Sequence, residues 1–272
     1  MTVPLLEVEG LSGAFRSPGG EMTPVLFDVG FALQPGVITA IVGETGSGKS
    51  LTALSILGIQ PPNFQRSSGR ILFEGRDLLA LPAEEIRAIR GRRISMVFQD
   101  ARAALNPVFT VGRQLADVHR LHHGGSAAAA MCRAIEALRS VAIPEPERRA
   151  RQYPHEFSGG MAQRAMIAMA ALVCAPRLVI LDEPTTGLDV TIQAAIMELI
   201  AELVAERGLT ACLITHDLGV VAETCANVVV MQSGRVVEAA STEAIFTRPR
   251  HAYTQRLLAA SLLEDSAEPV PA

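Results

Sequence analysis

A chain of 272 residues with 49% hydrophobic content can bury a substantial core, as one large α/β domain with room for a subdomain. A net charge of −4, no Trp and 4% aromatics argue against a protein held on nucleic acid by phosphate contacts and base stacking. The apolar residues come in strand-sized and helix-sized pieces, none approaching an uninterrupted membrane span, and no apolar leader follows the start, so the expected place is the cytosol.

Residues 3–42 alternate apolar runs (Leu5-Leu6-Glu7-Val8, Val25-Leu26-Phe27-Asp28-Val29) with turn signals such as Ser17-Pro18-Gly19-Gly20. This predicts antiparallel β-structure ending in the turn Gln34-Pro35-Gly36. Phe15, at the end of the first run, is either a face on which adenine stacks or an edge aromatic covering the sheet. Val37 to Val42 then reads as a buried strand, and Leu51 to Leu57 as a helix stopped by Gly58. Between them Gly43-Glu44-Thr45-Gly46-Ser47-Gly48-Lys49-Ser50 fits G-x-x-x-x-G-K-[ST], a loop that wraps a nucleotide's phosphates. Backbone N–H groups and the helix start converge on the anion. Lys49 is expected to reach the β- and γ-phosphates and the Ser50 hydroxyl to hold Mg2+.

Further along, Gly69 to Gly75 reads as a short hairpin, Glu84 to Arg90 as a short helix and Ile94 to Phe98 as a strand ending at Gln99. Residues 110–152 carry helix formers and read as a helical insertion, with His122-His123-Gly124-Gly125 as a solvated loop in it. A helix is expected from Met161 to Val173, with Met161, Met166 and Met169 as core filler. Strands follow at Leu178–Leu181, Ala211–Ile214 and Asn227–Met231, the last turning at Ser233-Gly234 into Arg235–Val237, and a helix runs from about Thr191 to Arg207. Apolar strands separated by helices indicate a parallel sheet covered on both faces. The four cysteines, Cys132, Cys174, Cys212 and Cys225, are far apart in sequence, so reduced thiols rather than a metal site are expected. The tail from Glu264 to Ala272 is acidic and Pro-containing, and reads as disordered.

Two further stretches carry chemistry. Leu178-Val179-Ile180-Leu181-Asp182-Glu183 is an apolar strand that delivers two acids at its C-terminal end, where ligands sit in parallel α/β sheets. Asp182 suits Mg2+, directly or through water, and Glu183 suits the positioning or deprotonation of a water. Phe157-Ser158-Gly159-Gly160-Met161-Ala162-Gln163-Arg164 opens a helix with a hydroxyl and two glycines, a second anion site. Two phosphate-binding helix starts in one chain suggest that the second serves a nucleotide held mainly by another subunit.

These stretches, with Gln99, Leu181-Asp182-Glu183-Pro184-Thr185-Thr186-Gly187-Leu188-Asp189 and Thr215-His216-Asp217, stand in the order found in ATP-binding-cassette ATPases, and the resemblance covers nearly the whole chain. Phe98-Gln99-Asp100, Leu105-Asn106-Pro107, His216 to Glu223 and the late His251-Ala252-Tyr253-Thr254-Gln255-Arg256-Leu257-Leu258 resemble the dipeptide/oligopeptide/nickel importer branch. The resemblance implies the cassette fold: a P-loop core with a mainly parallel sheet, an N-terminal antiparallel β subdomain and an inserted α-helical subdomain. It divides the chain into 1–98 (antiparallel β with the P-loop), 99–157 (Gln99 loop and helices), 158–250 (the rest of the core) and 251–272 (tail).

It further implies that two such subunits, identical or paralogous, sandwich two ATP molecules. Each nucleotide would lie between residues 43–51 (Gly43 to Leu51) of one chain and Ser158-Gly159-Gly160 of the other, with Phe15 stacking on adenine. Ser50, Gln99 and Asp182 would meet Mg2+, Glu183 would act as base, His216 would contact the γ-phosphate, and Asp189 would organise the water and the dimer seam. The implied partners are two transmembrane permease subunits, whose coupling helices the helical insertion receives, and indirectly an extracytoplasmic solute-binding protein. The implied place is the cytoplasmic face of the membrane, and no nucleic acid is expected as partner. Ala101, Ala162 and Gly187 depart from the branch's usual Pro, Arg and Ala without removing a group that hydrolysis needs. The sequence lacks a cysteine-bearing extension after Leu263, which favours nickel-type over peptide cargo within the branch. The other reading, a soluble cassette ATPase acting on nucleic acid or the ribosome, fits the single motif set and negative charge less well.

Overall fold

Alternation of apolar residues sets the first sheet of the computed structural model, which describes residues 3–265. Leu6, Val8 and Leu11 are buried along β1 (Leu6–Arg16), and Leu26, Val29 and Leu33 along β2 (Met22–Leu33). The two run antiparallel in the register Leu6↔Leu33 and Val8↔Phe31, joined by a turn in which Gly20 N–H bonds Ser17 O. Strand β3 (Ile38–Val42) is buried throughout, and α1 (Lys49–Leu57) ends at Gly58, whose left-handed backbone returns its N–H to Leu54 and Ser55 carbonyls. Strand β4 (Phe64–Phe73) lies along β1 (Val8↔Ile71) and meets the two-residue β5 (Arg76–Asp77) only at its end. The hairpin expected over Gly69–Gly75 is therefore the tip of a longer strand, because Ile71 and Phe73 bury against β1's apolar face. The sheet order is β2-β1-β4-β5.

The chain then supplies α2 (Ala83–Ile89), β6 (Ile94–Val97), α3 (Ala101–Ala104), α4 (Val111–His123), α5 (Ala127–Ser140), α6 (Pro146–Arg149), α7 (Gly159–Ile167), β7 (Leu178–Asp182) and α8 (Val190–Arg207). After these come β8 (Thr210–Ile214), α9 (Leu218–Thr224), β9 (Asn227–Gln232), β10 (Arg235–Ser241), α10 (Thr242–Thr247) and α11 (Ala252–Asp265). They fall into two units, one made of the residues up to Pro82 with those from Cys212 onward, the other of Ala83–Ala211.

In the first unit β3 is parallel to β9 (Ala40↔Val228), β8 flanks β3 with Thr215 N–H bonded to Ile41 O, and β10 returns antiparallel along β9. In the second unit β6 and β7 are parallel, Ile94↔Leu178 and Met96↔Ile180, and every residue of both strands is buried. Val111 and Leu115 of α4 and Ala130, Ala134 and Leu138 of α5 form that unit's helical core. An antiparallel sheet beside mainly parallel strands flanked by helices is the α/β arrangement that the sequence predicts. Among the described residues no helix is long and apolar enough to cross a membrane.

Three expectations are corrected. His122 and His123 are not in a loop but form the last turn of α4, because the break comes at Gly124, whose N–H caps Arg120 O. His123 Nε2 lies 2.9 Å from Val173 O, and the His119 and His123 rings lie 5.0 Å apart. The helix expected over Met161–Val173 is α-helical only to Ile167 and π-helical from Ala168 to Val173. Side chains from outside that segment take its carbonyls: Ser95 Oγ donates to Ala170 O at 2.9 Å, and His123 meets Val173 O. Glu264 and Asp265 belong to α11, and the rest of the expected disordered tail lies outside the described residues.

Cys174, Cys212 and Cys225 are buried while Cys132 is exposed, and burial pushes the Cys174 and Cys225 thiols up to about 11. A water-soluble maleimide at mildly alkaline pH should therefore label Cys132 alone in the native chain and all four cysteines in denaturant. Labelling of Cys174 or Cys225 in the native state would contradict this packing.

Candidate functional site

The glycine loop follows β3 in the first unit, and its conformation admits few other residues. Gly43 has φ 144, and a Cβ there would lie 2.0 Å from Met231 O of β9. Gly48 has φ 99, and its Cβ would lie 2.7 Å from Leu26 Cδ2 of β2. On the outer side the loop is open, with Glu44, Thr45 and Gly46 exposed. Lys49 is only 6% exposed, and its ammonium donates to Gly43 O at 2.7 Å and Glu44 O at 2.9 Å. Those carbonyls compensate a buried cation that would otherwise be costly. Helix α1 starts here without a side-chain cap and without an acid in its first turn. Ser50 and Leu51 head it. Uncapped N–H groups, the helix dipole, a buried ammonium and a glycine cradle together fit a polyphosphate.

Phe15 is half-buried in β1, paired with Thr23 of β2 and Phe64 of β4, and meets the Phe64 ring edge to face with centroids 5.6 Å apart. His216 is exposed just after β8. The residues on either side fix the chain there: Asp217 N–H bonds Thr215 Oγ1 at 3.0 Å, and Asp217 Oδ1 accepts from Val220 N–H to cap α9.

In the second unit the parallel pair β6/β7 places two chemistry-bearing side chains together. Val97 is registered with Leu181, so Gln99 and Glu183 both lie two residues beyond paired positions. Gln99 Nε2 donates to Glu183 Oε2 at 3.0 Å, and Thr186 Oγ1 donates to the same oxygen at 2.9 Å. Asp182, the last residue of β7, is 7% exposed. Glu183 itself has φ 47, left-handed backbone that costs a non-glycine residue about 1–3 kcal/mol and persists where its surroundings hold it. Beyond Gln99, Asp100 caps α3, and Arg102 Nη2 donates to Phe157 O at 2.8 Å, just before Ser158.

Ser158 caps α7 by accepting from Met161 N–H, and Asp189 caps α8 by accepting from Ile192 N–H. The two helix starts are close, since a Cβ on Gly160 would lie 2.7 Å from Ile192 Cγ2. Between them opens a cleft of about 490 Å³ lined by Ser158, Gly159, Gly160, Arg164, Gly187 and Asp189. Met161 also lines this cleft, whereas Met166 is buried core as expected.

The structure thus groups residues 43–51 in one unit and Gln99, Asp182, Glu183, Ser158–Gly160 and Asp189 in the other. Thr186 and Tyr253 stand inside the sequence motifs with no role that the sequence assigns. Thr186 holds Glu183, and Tyr253 Oη accepts from Glu44 N–H at 2.9 Å. A hydroxyl three residues after the acid was the available signal for the first; for the second only the motif itself was visible.

Comparison with known proteins shows the family. The model of the family described as ABC transporter matches residues 26–186. A probable peptide ABC transporter ATP-binding protein, y4tR, of Sinorhizobium fredii is 51% identical over 93% of this chain and 76% of its own length. The peptidoglycan transport ATP-binding protein YejF of Agrobacterium fabrum is 49% identical over 98% of this chain, which spans about half (48%) of that relative. Among solved structures, the dimeric ATP-binding cassette MJ0796, bound to ADP and Pi, superposes with a TM-score of 0.77 at 26% identity, covering 87% of this chain and 98% of its own. With a family match over more than half of its length and relatives aligned over nearly all of it, the chain belongs to the ABC transporter family, as an ATP-binding cassette ATPase.

Proposed function

We propose that this ATPase energises the import of peptides across the cytoplasmic membrane, working in pairs at the cytoplasmic face beneath two permease subunits fed by an extracytoplasmic binding protein. The held carboxylate of Glu183 carries the catalytic part of this reading. The cargo reading rests on relatives whose names say peptide or peptidoglycan transport. No relative reported above is named for nickel.

In this mechanism the loop N–H groups of Gly46 to Leu51 and the Lys49 ammonium bind the phosphates, and Phe15 stacks on adenine. Ser50, Asp182 and the Gln99 side-chain oxygen, left over when its nitrogen serves Glu183, would hold Mg2+. The ion, when bound, neutralises charge developing on the phosphates. Glu183 accepts the proton of the attacking water, and the bonds from Gln99 and Thr186 aim its carboxylate. His216 contacts the γ-phosphate. The cleft at Ser158–Gly160 takes the nucleotide of the second subunit, with Asp189 at the seam.

Glu183→Gln should lower ATP turnover about a hundredfold or more while leaving nucleotide binding intact. The variant should elute as a dimer with saturating Mg-ATP; if it stays monomeric while wild type hydrolyses normally, the sandwich is wrong. Thr186→Val, which removes one aiming bond, should lower kcat about three- to tenfold with little change in KM. In the reconstituted complex with its binding protein, a loaded peptide should stimulate ATP hydrolysis; stimulation by a nickel chelate and not by peptides would reassign the cargo.

A further inference from the structure

We propose that Tyr253 is a positioning residue for the phosphate loop: its phenol oxygen sets the plane of the Gly43–Glu44 peptide, and through it the place of Lys49. This rests on the reading of residues 43–51 as the nucleotide loop and adds to it a residue from the far end of the chain.

The Gly43–Glu44 peptide is held at both ends. Its carbonyl accepts from Lys49 Nζ at 2.7 Å, and its N–H donates to Tyr253 Oη at 2.9 Å. No side chain of Gly43 to Gly46 packs against that plane, because Gly43 sits at φ 144 with no side chain and Glu44, Thr45 and Gly46 face solvent. Tyr253 is itself well fixed, 7% exposed in the first turn of α11. Glu238 of β10 accepts from the N–H groups of Arg250 (2.8 Å) and His251 (3.0 Å), which anchors the turn before the helix. His251 Nδ1 then accepts from Tyr253 N–H at 3.2 Å, and Gln255 Nε2 donates back to Pro249 O at 3.0 Å. A chain of hydrogen bonds therefore runs from β10 to the phosphate loop, all within one unit.

The consequence appears when phosphates bind. Lys49 is the cation that the phosphates draw, and to meet them its ammonium gives up loop carbonyls. The Gly43–Glu44 plane then keeps the bond to Tyr253. The phenol thus preserves the loop's shape while its internal lysine bond is exchanged, which lowers the cost of binding nucleotide without touching the reacting atoms.

The test is Tyr253→Phe in the full chain, which keeps the buried ring and removes only the oxygen. The expected result is an ATP Kd and KM raised about three- to tenfold with kcat unchanged. The thermal midpoint should stay near wild type, and Glu44 amide exchange should be faster. An unchanged KM, or a fall in kcat alone, would overturn the proposal. Should the variant not fold, wild type still decides: without nucleotide its Glu44 amide must be protected from exchange, and exchange at the rate of an open loop refutes the bond. Failure of wild type to bind ATP at all would instead refute the nucleotide reading.

Discussion

A buried ammonium under a glycine-rich loop is the constraint around which the first unit is arranged. Lys49 lies under the glycine loop with loop carbonyls as its partners, and the loop can take that shape because Gly43 and Gly48 press backbone against β9 and β2 where a Cβ would collide. The strands that create this pressure are ordinary apolar elements, buried because Ile38 to Val42 and Val228 to Met231 have no polar side chain to lose except Thr39. The core sets the loop, and the loop carbonyls hold the buried lysine.

The three helix starts associated with nucleotide show how the same backbone device is used differently. Asp189 and Ser158 spend a side-chain oxygen on capping their own helices, which orders those starts at the cleft. Gly48 has no side chain to cap with, so α1 starts without a side-chain cap. Capping thus separates the start of α1, which no side chain caps, from the starts of α7 and α8, which Ser158 and Asp189 hold in shape.

Glu183 gathers strain and hydrogen bonds at one residue. Its left-handed backbone is unfavourable for a side chain, yet Thr186 and Gln99 converge on one carboxylate oxygen and fix its aim. The alignment with Gln99 follows from the pairing of Val97 with Leu181, so buried strand packing delivers the acid and its partner to the same height. The geometry of this pair is inherited from the register of two buried strands.

The sequence by itself determined the elements and the chemistry that local order encodes. Apolar runs marked β3, β6, β7, β8 and β9, Gly58 marked the end of α1, and the motifs marked the loop, the acid pair and the Ser158 helix start, since each depends on neighbours a few residues away. Where α4 stops was misread by two residues, because the histidines before Gly124 looked like loop residues until Val173 gave His123 a partner. The π-helical stretch after α7 was invisible for a related reason: its carbonyls are taken by Ser95 and His123, which are distant in sequence. Only the tertiary structure decided which side chains hold the functional groups in place. Thr186 on Glu183, Arg102 on Phe157 and Tyr253 on Glu44 are single hydrogen bonds, with no period or composition of their own, and they exist because packing brings a donor and an acceptor within 3 Å.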